Sequence, residues 1–187
     1  MNRPARRRFL SIDDLDGAAR EVLSHAVAEG RLIAGAGGYA MQVYGSDRMT
    51  ADLDVLSDGP LSALTCDRSL SFGGSSCRTS TGIPVDVIVR HDDYQALYDE
   101  ALAGAQVVED APIRIVRPEH LAVIKLAAGR PKDESDLLFL AGVMTADEID
   151  AAREFARRFL GRYGLDDLDS RIAEAAWLVE RAKRSRS

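Results

Sequence analysis

Three aspartates in the first half of the chain have the spacing of a metal-binding carboxylate group. A single leucine separates Asp52 from Asp54, and Asp86 stands later between two valines. Alternate side chains of a β-strand share one face, so we expect Asp52 and Asp54 to point the same way. Carboxylates held side by side repel each other unless a cation neutralises them, and magnesium prefers oxygen ligands. The pattern therefore predicts a site for two Mg²⁺ ions, with Mn²⁺ as a substitute, suited to phosphoryl or nucleotidyl transfer.

A glycine pair and an arginine come before the first two aspartates. Backbone without Cβ atoms can approach a phosphate closely, and amides at the start of a following helix point toward it, so Gly37 and Gly38 are candidates for phosphate binding. Arg48 could pair with a triphosphate oxygen in a forked geometry. Each feature alone has a plainer explanation, because glycine pairs often form turns and alternate acids often lie on surface strands. Their order and spacing, with a third acid on a later apolar strand, make the combination more specific.

The elements that must position these residues follow from the spacing of apolar side chains. The pattern predicts an α/β half over residues 1–116 and an all-helical remainder over 117–187. Pro118 sits where a first-turn proline belongs, and Thr145-x-x-Glu148 is a capping box. We expect strands at 31–36, 51–56, 84–89 and 113–116, a loop with room for one short strand at 71–82, and helices at 14–29, 39–44, 91–104, 118–129, 133–140, 145–163 and 166–183.

The composition is that of an ordinary globular protein. Hydrophobic residues make up 46% and charged residues 29% of the 187, and no apolar stretch approaches the roughly 20 residues that span a bilayer. Arginines at 6–8 resemble a twin-arginine signal, but the segment 11–14, with two aspartates at 13 and 14, follows where an apolar region should be. We therefore predict a cytoplasmic protein without membrane contact. Neither cysteines nor histidines have metal-ligand spacing, and we expect reduced, partly buried thiols and structural or surface imidazoles at Cys66, Cys77, His25, His91 and His120.

The charge distribution argues against a protein that grips nucleic acid over a broad surface. The formal net charge is −6, whereas such proteins are usually basic. Basic residues do cluster at 3–8, 153–162 and 181–186, and runs of this kind are typical of solvated faces and chain ends. Because of the stripe at 153–162, a local RNA-docking patch stays an alternative.

These residues together resemble a known family. The glycine pair, the gap, Asp-hydrophobic-Asp and a later third acid resemble the DNA-polymerase-beta-type nucleotidyltransferase superfamily. The longer segments 37–54 and 82–87 are similar to the AbiEii-like branch of minimal nucleotidyltransferases, and 118–137 resembles the second conserved block of that branch. The resemblance implies a small mixed β-sheet core with flanking helices, followed by a C-terminal helical bundle. One departure is Gly37-Gly38, where many members carry Gly-Ser.

The resemblance implies an activity and its residues. A nucleoside monophosphate would pass from a nucleoside triphosphate to an acceptor hydroxyl, with Mg²⁺ on Asp52, Asp54 and Asp86 and with Asp86 as general base. The acceptor would be a transfer RNA end, a hydroxyl of a protein or a small molecule such as an antibiotic. A toxin of this branch would also have an antitoxin protein as partner. The implied nucleotide-binding residues are Gly37, Gly38, Arg48, Lys125 and Asp133.

Several alternatives stay open. Lys125 has the plainer interpretation of a solvated helix residue, and Asp133 that of a helix cap or salt bridge. At the level of the whole protein, the chain could be a catalytically silent nucleotide-binding or protein-interaction module of the same fold. A phosphohydrolase could use the same metals, but its Asp-x-Asp usually follows a first strand without a preceding glycine pair.

Overall fold

The computed structural model describes residues 9–184, so the basic cluster at 3–8 and the arginine at 186 lie outside the described residues. Helices and strands alternate in the first half, and helices alone fill the second. The helices are α1 (Ile12–Ala28), α2 (Gly37–Val43), α3 (Gln95–Ala103), α4 (Pro118–Ala128), α5 (Glu134–Val143) and α6 (Ala146–Arg184), and the strands are β1 (Ile33–Gly35), β2 (Leu53–Ser57), β3 (Thr65–Ser69), β4 (Ser75–Arg78) and β5 (Pro84–Ile88).

The chain divides into two compact units. The first unit comprises Met1–Gln95 and Leu102–Val116, and the second comprises Ala96–Ala101 and Arg117–Ser187. The first unit carries a five-stranded sheet in the order β1-β2-β5-β4-β3, in which only β2 and β5 run parallel. The predicted fold class, a mixed α/β core followed by helices, is confirmed.

Strands β2 and β5 show the alternation that the sequence predicts. Leu53, Val55, Val85 and Val87 are buried, while the acids between them are half-buried. Burial of apolar side chains on alternate positions fixes the register, because a slip by one residue would move every valine off the core face. The predicted strand at 51–56 begins two residues later than expected, so Asp52 precedes β2 rather than forming part of it.

One prediction about the thiols is wrong, and one strand was not predicted. No element was predicted at 65–69, because all five residues of β3 are exposed and show no apolar alternation, whereas β4 lies in the segment 71–82 where one short strand was expected to fit. Cys66 on β3 and Cys77 on β4 are directly opposite each other and form a disulfide, instead of the two reduced thiols expected. The segment between the two cysteines, whose sequence separation is 11, carries no signal of this pairing, because the pairing depends on the antiparallel register of a strand with no apolar pattern.

The prediction of a strand at 113–116 is also wrong, because this segment is not a strand of the sheet. Ile115 makes only isolated bridges, parallel to Gly35 and antiparallel to Gln106. The Arg114 guanidinium donates to the carbonyls of Ala103 and Ala105 and so holds this segment against the chain just before it. Ile113 and Ile115 are buried, which explains why the segment has the composition of a strand.

The second unit is built from α4, α5 and α6. Pro118 begins α4 and Gly129 ends it in a left-handed conformation (φ 57°), as predicted for this helix. The predicted capping box is present, because Thr145 Nα donates to Glu148 Oε2 at 2.8 Å and Glu148 Nα donates to Thr145 Oγ1 at 3.3 Å. The predicted break near 163–166 occurs at Gly161, where φ is 71°. Within residues 9–184, no helix is long and apolar enough to cross a membrane.

Candidate active site

Asp54 and Asp86 lie side by side on the sheet of the first unit. They are register partners on the parallel strands β2 and β5, and both are half-buried while the neighbouring valines face the core. Like charges at directly opposite positions of two strands destabilise a sheet. The pair therefore costs stability in the free protein and is chemically suited to a cation.

Asp52 is placed by a side chain rather than by strand geometry. It lies in a bend before β2, and its Oδ1 accepts a hydrogen bond of 3.1 Å from the Thr50 hydroxyl. The main-chain carbonyl of Asp52 lies 3.2 Å from the same hydroxyl and shares its one hydrogen. The reason given for a shared face with Asp54, alternation along one strand, is therefore wrong for Asp52.

The glycine pair begins α2 and packs against Asp54. Gly38 Nα donates to Asp54 Oδ2 at 3.3 Å, and Ala36 Nα donates to the Asp54 carbonyl at 2.9 Å. Gly37 has a φ of 52°, and a Cβ at that position would lie 1.8 Å from Asp54 Oδ2. The Asp54 carboxylate therefore requires glycine at 37, and contact of Gly37 and Gly38 with a phosphate stays a prediction.

Arg48 lies half-buried in the loop between α2 and β2. Its Nα donates to Ser46 Oγ at 3.3 Å, and its carbonyl accepts from Gln42 Nε2 at 3.0 Å. These bonds hold the backbone of the loop that leads to Thr50 and Asp52. A role of the guanidinium on a triphosphate stays a prediction.

Lys125 and Asp133 belong to the second unit, where they form a charge cluster with Asp136, which is buried, and with Arg130, which is exposed. The Lys125 ammonium lies 2.6 Å from Asp136 Oδ2 and 3.5 Å from Asp133 Oδ1. Arg130 Nε lies 2.6 Å from the other oxygen of Asp133. Lys125 and both aspartates expose at most 3% of their side chains. The alternative of a solvated helix residue is therefore wrong for Lys125, which is 2% exposed, whereas the salt-bridge alternative describes Asp133 in the free protein. The predicted contact of both residues with a nucleotide stays a prediction.

Two residues that the sequence did not single out continue the row of polar side chains across the sheet. Ser76 on β4 is the register partner of Asp86, and Arg68 on β3 is the register partner of Ser76. An irregularity in the β3–β4 register lies between Cys66 and Arg68. A bulge of this kind turns a side chain to the other face, so Arg68 shares the face of Asp86 rather than that of the disulfide. Only the register reveals this row.

The donor chemistry of the first unit suits magnesium in kind. Asp54 and Asp86 offer hard carboxylate oxygens on one face, and Gly37 leaves open the space that a Cβ would fill beside Asp54. Over residues 9–184, however, no three His, Cys, Asp or Glu side chains are gathered into a group that could hold a metal ion. The metal ions and their three aspartate ligands stay predictions.

The arginine stripe of α6 is largely paired with acids. Arg153 bonds to Asp169 at 2.8 Å, Arg157 bonds to Glu154 at 2.6 Å, and Arg158 pairs with Glu100. These carboxylates neutralise much of the charge that a phosphate backbone would need. The stripe therefore has the character of the solvated face that the composition favoured.

Comparison with known proteins adds the fold. No family model and no curated protein matches the sequence. Among solved structures, an antigenic nucleotidyltransferase-like protein from Paracoccidioides brasiliensis is 16% identical over 89% of this chain and 95% of its own, with a TM-score of 0.51. The antibiotic-resistance factor ANT(2'')-Ia is 15% identical over 94% of this chain and 100% of its own (TM-score 0.46), and its complex with adenylyl-2''-tobramycin is 16% identical over 85% and 97% (TM-score 0.43).

The Paracoccidioides protein is described as nucleotidyltransferase-like. At 16% identity, the likeness to the Paracoccidioides protein shows a shared fold and nothing finer.

Proposed function

We propose that the protein is a magnesium-dependent nucleotidyltransferase that transfers a nucleoside monophosphate from a nucleoside triphosphate to an acceptor hydroxyl. The observation that carries the proposal is the pairing of Asp54 with Asp86 on one face of the sheet, beside the glycine pair that begins α2. Two adjacent carboxylates cost stability, and a site for a divalent cation explains why both are present. The nucleotidyltransferase-like fold agrees with this chemistry.

The residues divide the work of the reaction. Asp52, Asp54 and Asp86 would hold Mg²⁺, which when bound neutralises the triphosphate and lowers the pKa of the acceptor hydroxyl. Asp86 accepts the proton of the acceptor hydroxyl while the oxygen of that hydroxyl forms a bond to the α-phosphorus. The bond between the α-phosphorus and the oxygen that bridges to the β-phosphorus breaks, and pyrophosphate leaves. Arg48 and the amides near Gly38 bind the triphosphate, so catalysis consists mainly of positioning and electrostatics.

Labelled triphosphates test the activity. The protein is incubated with each α-labelled nucleoside triphosphate, Mg²⁺ and cell extract, and transfer of label to RNA, protein or small molecules is measured. We expect transfer by the unmodified protein and a loss of about 100-fold or more in Asp86→Asn, since removing a general base costs about 10²–10⁴-fold. Asp47→Asn, which changes an exposed aspartate in the loop before β2, is the matched control and should retain transfer. Equal transfer by Asp86→Asn and Asp47→Asn would overturn the proposal.

The same experiment assigns the acceptor. Labelled transfer RNA, a labelled protein and a labelled small molecule are its three separable products. The AbiEii-like branch and a toxin role with an antitoxin partner rest on the resemblance of segments 37–54 and 118–137, and label on transfer RNA or on a partner protein would support them. A catalytically silent module would bind a triphosphate with Mg²⁺ in a thermal-shift assay and label nothing.

A further inference from the structure

We propose that Thr50 is a positioning residue whose hydroxyl restricts the conformations of the Asp52 carboxylate and so favours metal binding by Asp52; this inference rests on the proposed function. The Thr50 side chain would touch neither substrate nor metal. It acts through Asp52, which lies outside β2 and so lacks the ladder that orients Asp54.

The hydrogen bond itself is the first support. The single hydrogen of Thr50 Oγ1 is shared between Asp52 Oδ1 at 3.1 Å and the Asp52 carbonyl at 3.2 Å, and the carboxylate is the stronger acceptor. Because Thr50 is only 6% exposed, water competes little for its hydrogen bond to Asp52. A hydrogen bond to a carboxylate is also stronger than one between neutral groups. The bond can therefore select one side-chain conformation of Asp52.

The anchoring of Thr50 is the second support. The Thr50 carbonyl accepts the Leu10 amide at 2.9 Å, which ties this point of the loop to the segment before α1. On the other side, Gly38 approaches so closely that a Cβ there would lie 2.6 Å from Thr50 Oγ1 and 2.7 Å from Thr50 Cβ. Gly38 also donates its amide to Asp54 at 3.3 Å. One glycine thus contacts both the residue that holds Asp52 and the second aspartate.

This arrangement gives a second reason why residues 37 and 38 are glycine, one that the sequence did not suggest. Gly37 leaves space for the Asp54 carboxylate, and Gly38 leaves space for Thr50. The two glycines therefore let the two aspartates be positioned from neighbouring points of one turn. Partners that orient a metal ligand typically contribute about 10–100-fold to metal affinity or activity.

Two substitutions separate the hydroxyl from the shape of the side chain. Thr50→Val keeps the shape and removes the hydroxyl, whereas Thr50→Ser keeps the hydroxyl and removes a methyl group. Thr79→Val is the matched control, since Thr79 is 5% exposed in the same unit and its Oγ1 accepts the Ile83 amide at 3.0 Å. A role in packing alone predicts that Thr50→Ser is the more harmful of the two changes at 50, and a positioning role predicts the reverse.

The experiment measures two quantities in each full-length variant. The first is the χ1 distribution of Asp52, from NMR scalar couplings in protein without metal. The second is the affinity for Mn²⁺ alone, by calorimetric titration. We expect Thr50→Val to spread Asp52 over several rotamers and to weaken Mn²⁺ binding about tenfold. Thr50→Ser should retain both properties, and Thr79→Val should change neither.

The outcomes are distinct. If Asp52 keeps one rotamer in Thr50→Val, or if Thr50→Ser behaves like Thr50→Val, the inference is overturned. If the rotamer result holds but unmodified protein binds no Mn²⁺, Thr50 still positions Asp52 and the proposed magnesium-dependent function is what fails. The rotamer measurement thus needs neither metal nor turnover.

Discussion

The two units of this protein each hold a cluster of aspartates, and the clusters are built in opposite ways. In the second unit, Asp133 and Asp136 are at most 3% exposed and lie within 2.6 Å of an arginine and a lysine nitrogen respectively. In the first unit, Asp54 and Asp86 are half-buried register partners on adjacent strands. Buried acids matched by cations become strongly destabilising when a cation is removed, whereas adjacent half-buried acids weaken the fold unless a cation binds between them.

The largest effect should come from removing the cation of the buried cluster. Lys125→Met leaves two aspartates in the interior without their ammonium, and breaking a buried pair in this way costs about 3–5 kcal/mol. Urea unfolding should therefore show a large drop in the free energy of unfolding. Lys132→Met, which changes an exposed lysine close by in the chain, is the control and should have little effect.

A contrary result would change the comparison. If Lys125→Met unfolds like the unmodified protein but binds triphosphates more weakly, Lys125 serves the nucleotide, as the family resemblance implies, and the second cluster is functional rather than structural. Lys125→Met combined with Asp133→Asn and Asp136→Asn should recover much of the lost stability, because no buried charge is then left without its partner.

The next effect is a pH dependence located in the second unit. His120 is 4% exposed and stacks on Phe155 with ring centroids 4.2 Å apart. Burial lowers the pKa of His120 from 6.5 to about 4; Glu100 nearby opposes this shift, and Arg117 and Arg158 add to it. The unfolded chain thus binds a proton that the folded protein excludes. Stability should be complete above pH 6.5 and fall by up to about 3 kcal/mol as the pH drops toward 4.

Urea unfolding at several pH values measures this dependence. His120→Gln removes the titrating group, so its free energy of unfolding should change less between pH 6.5 and 4 than that of the unmodified protein. The same slope in both proteins would assign the acid sensitivity to carboxylates and not to the buried imidazole.

What the sequence could predict differs between the two clusters for a physical reason. Alternation of apolar residues with acids on β2 and β5 is a local pattern. It correctly indicated that Asp54 and Asp86 lie on strands and point away from the core, and both are half-buried. The same pattern gave the wrong reason for the orientation of Asp52. Asp52 lies one residue before β2, where its orientation depends on its own hydrogen bond, here from Thr50, and not on the strand.

Long-range contacts explain the other failures. The clash that requires Gly37 is with Asp54, 17 residues later, and the disulfide depends on the register of an exposed strand. The burial of Lys125 depends on an aspartate 11 residues away. None of these partners can be found from the residues on either side. The predicted helices α4 and α6 began correctly because their start signals, the first-turn proline Pro118 and the capping residue Thr145, act within one turn.

The smallest effect is also the one that most sharpens the comparison. Asp54→Asn removes one of two like charges that face each other across β2 and β5 and keeps an oxygen to accept the Gly38 amide. Unlike Lys125→Met, it should raise the free energy of unfolding, by about 0.2–1 kcal/mol. Asp58→Asn is the matched control, because Asp58 lies just after β2, accepts the Leu32 amide at 3.1 Å and has no register partner on β5. Its substitution should give no gain.

Magnesium should reverse the order of these variants. A ligand that binds only the folded protein adds stability that grows with the logarithm of its concentration relative to its Kd. Mg²⁺ with a triphosphate should therefore stabilise the unmodified protein and Asp58→Asn, and should stabilise Asp54→Asn less. Urea titrations with and without both ligands measure this. If Asp54→Asn is destabilising without ligand, the carboxylate is part of the fold in the same way as Asp133 and Asp136. If Asp54→Asn is more stable than the unmodified protein without ligand, and gains no stability from Mg²⁺ with a triphosphate, then the Asp54–Asp86 pair destabilises the fold and is needed for ligand binding.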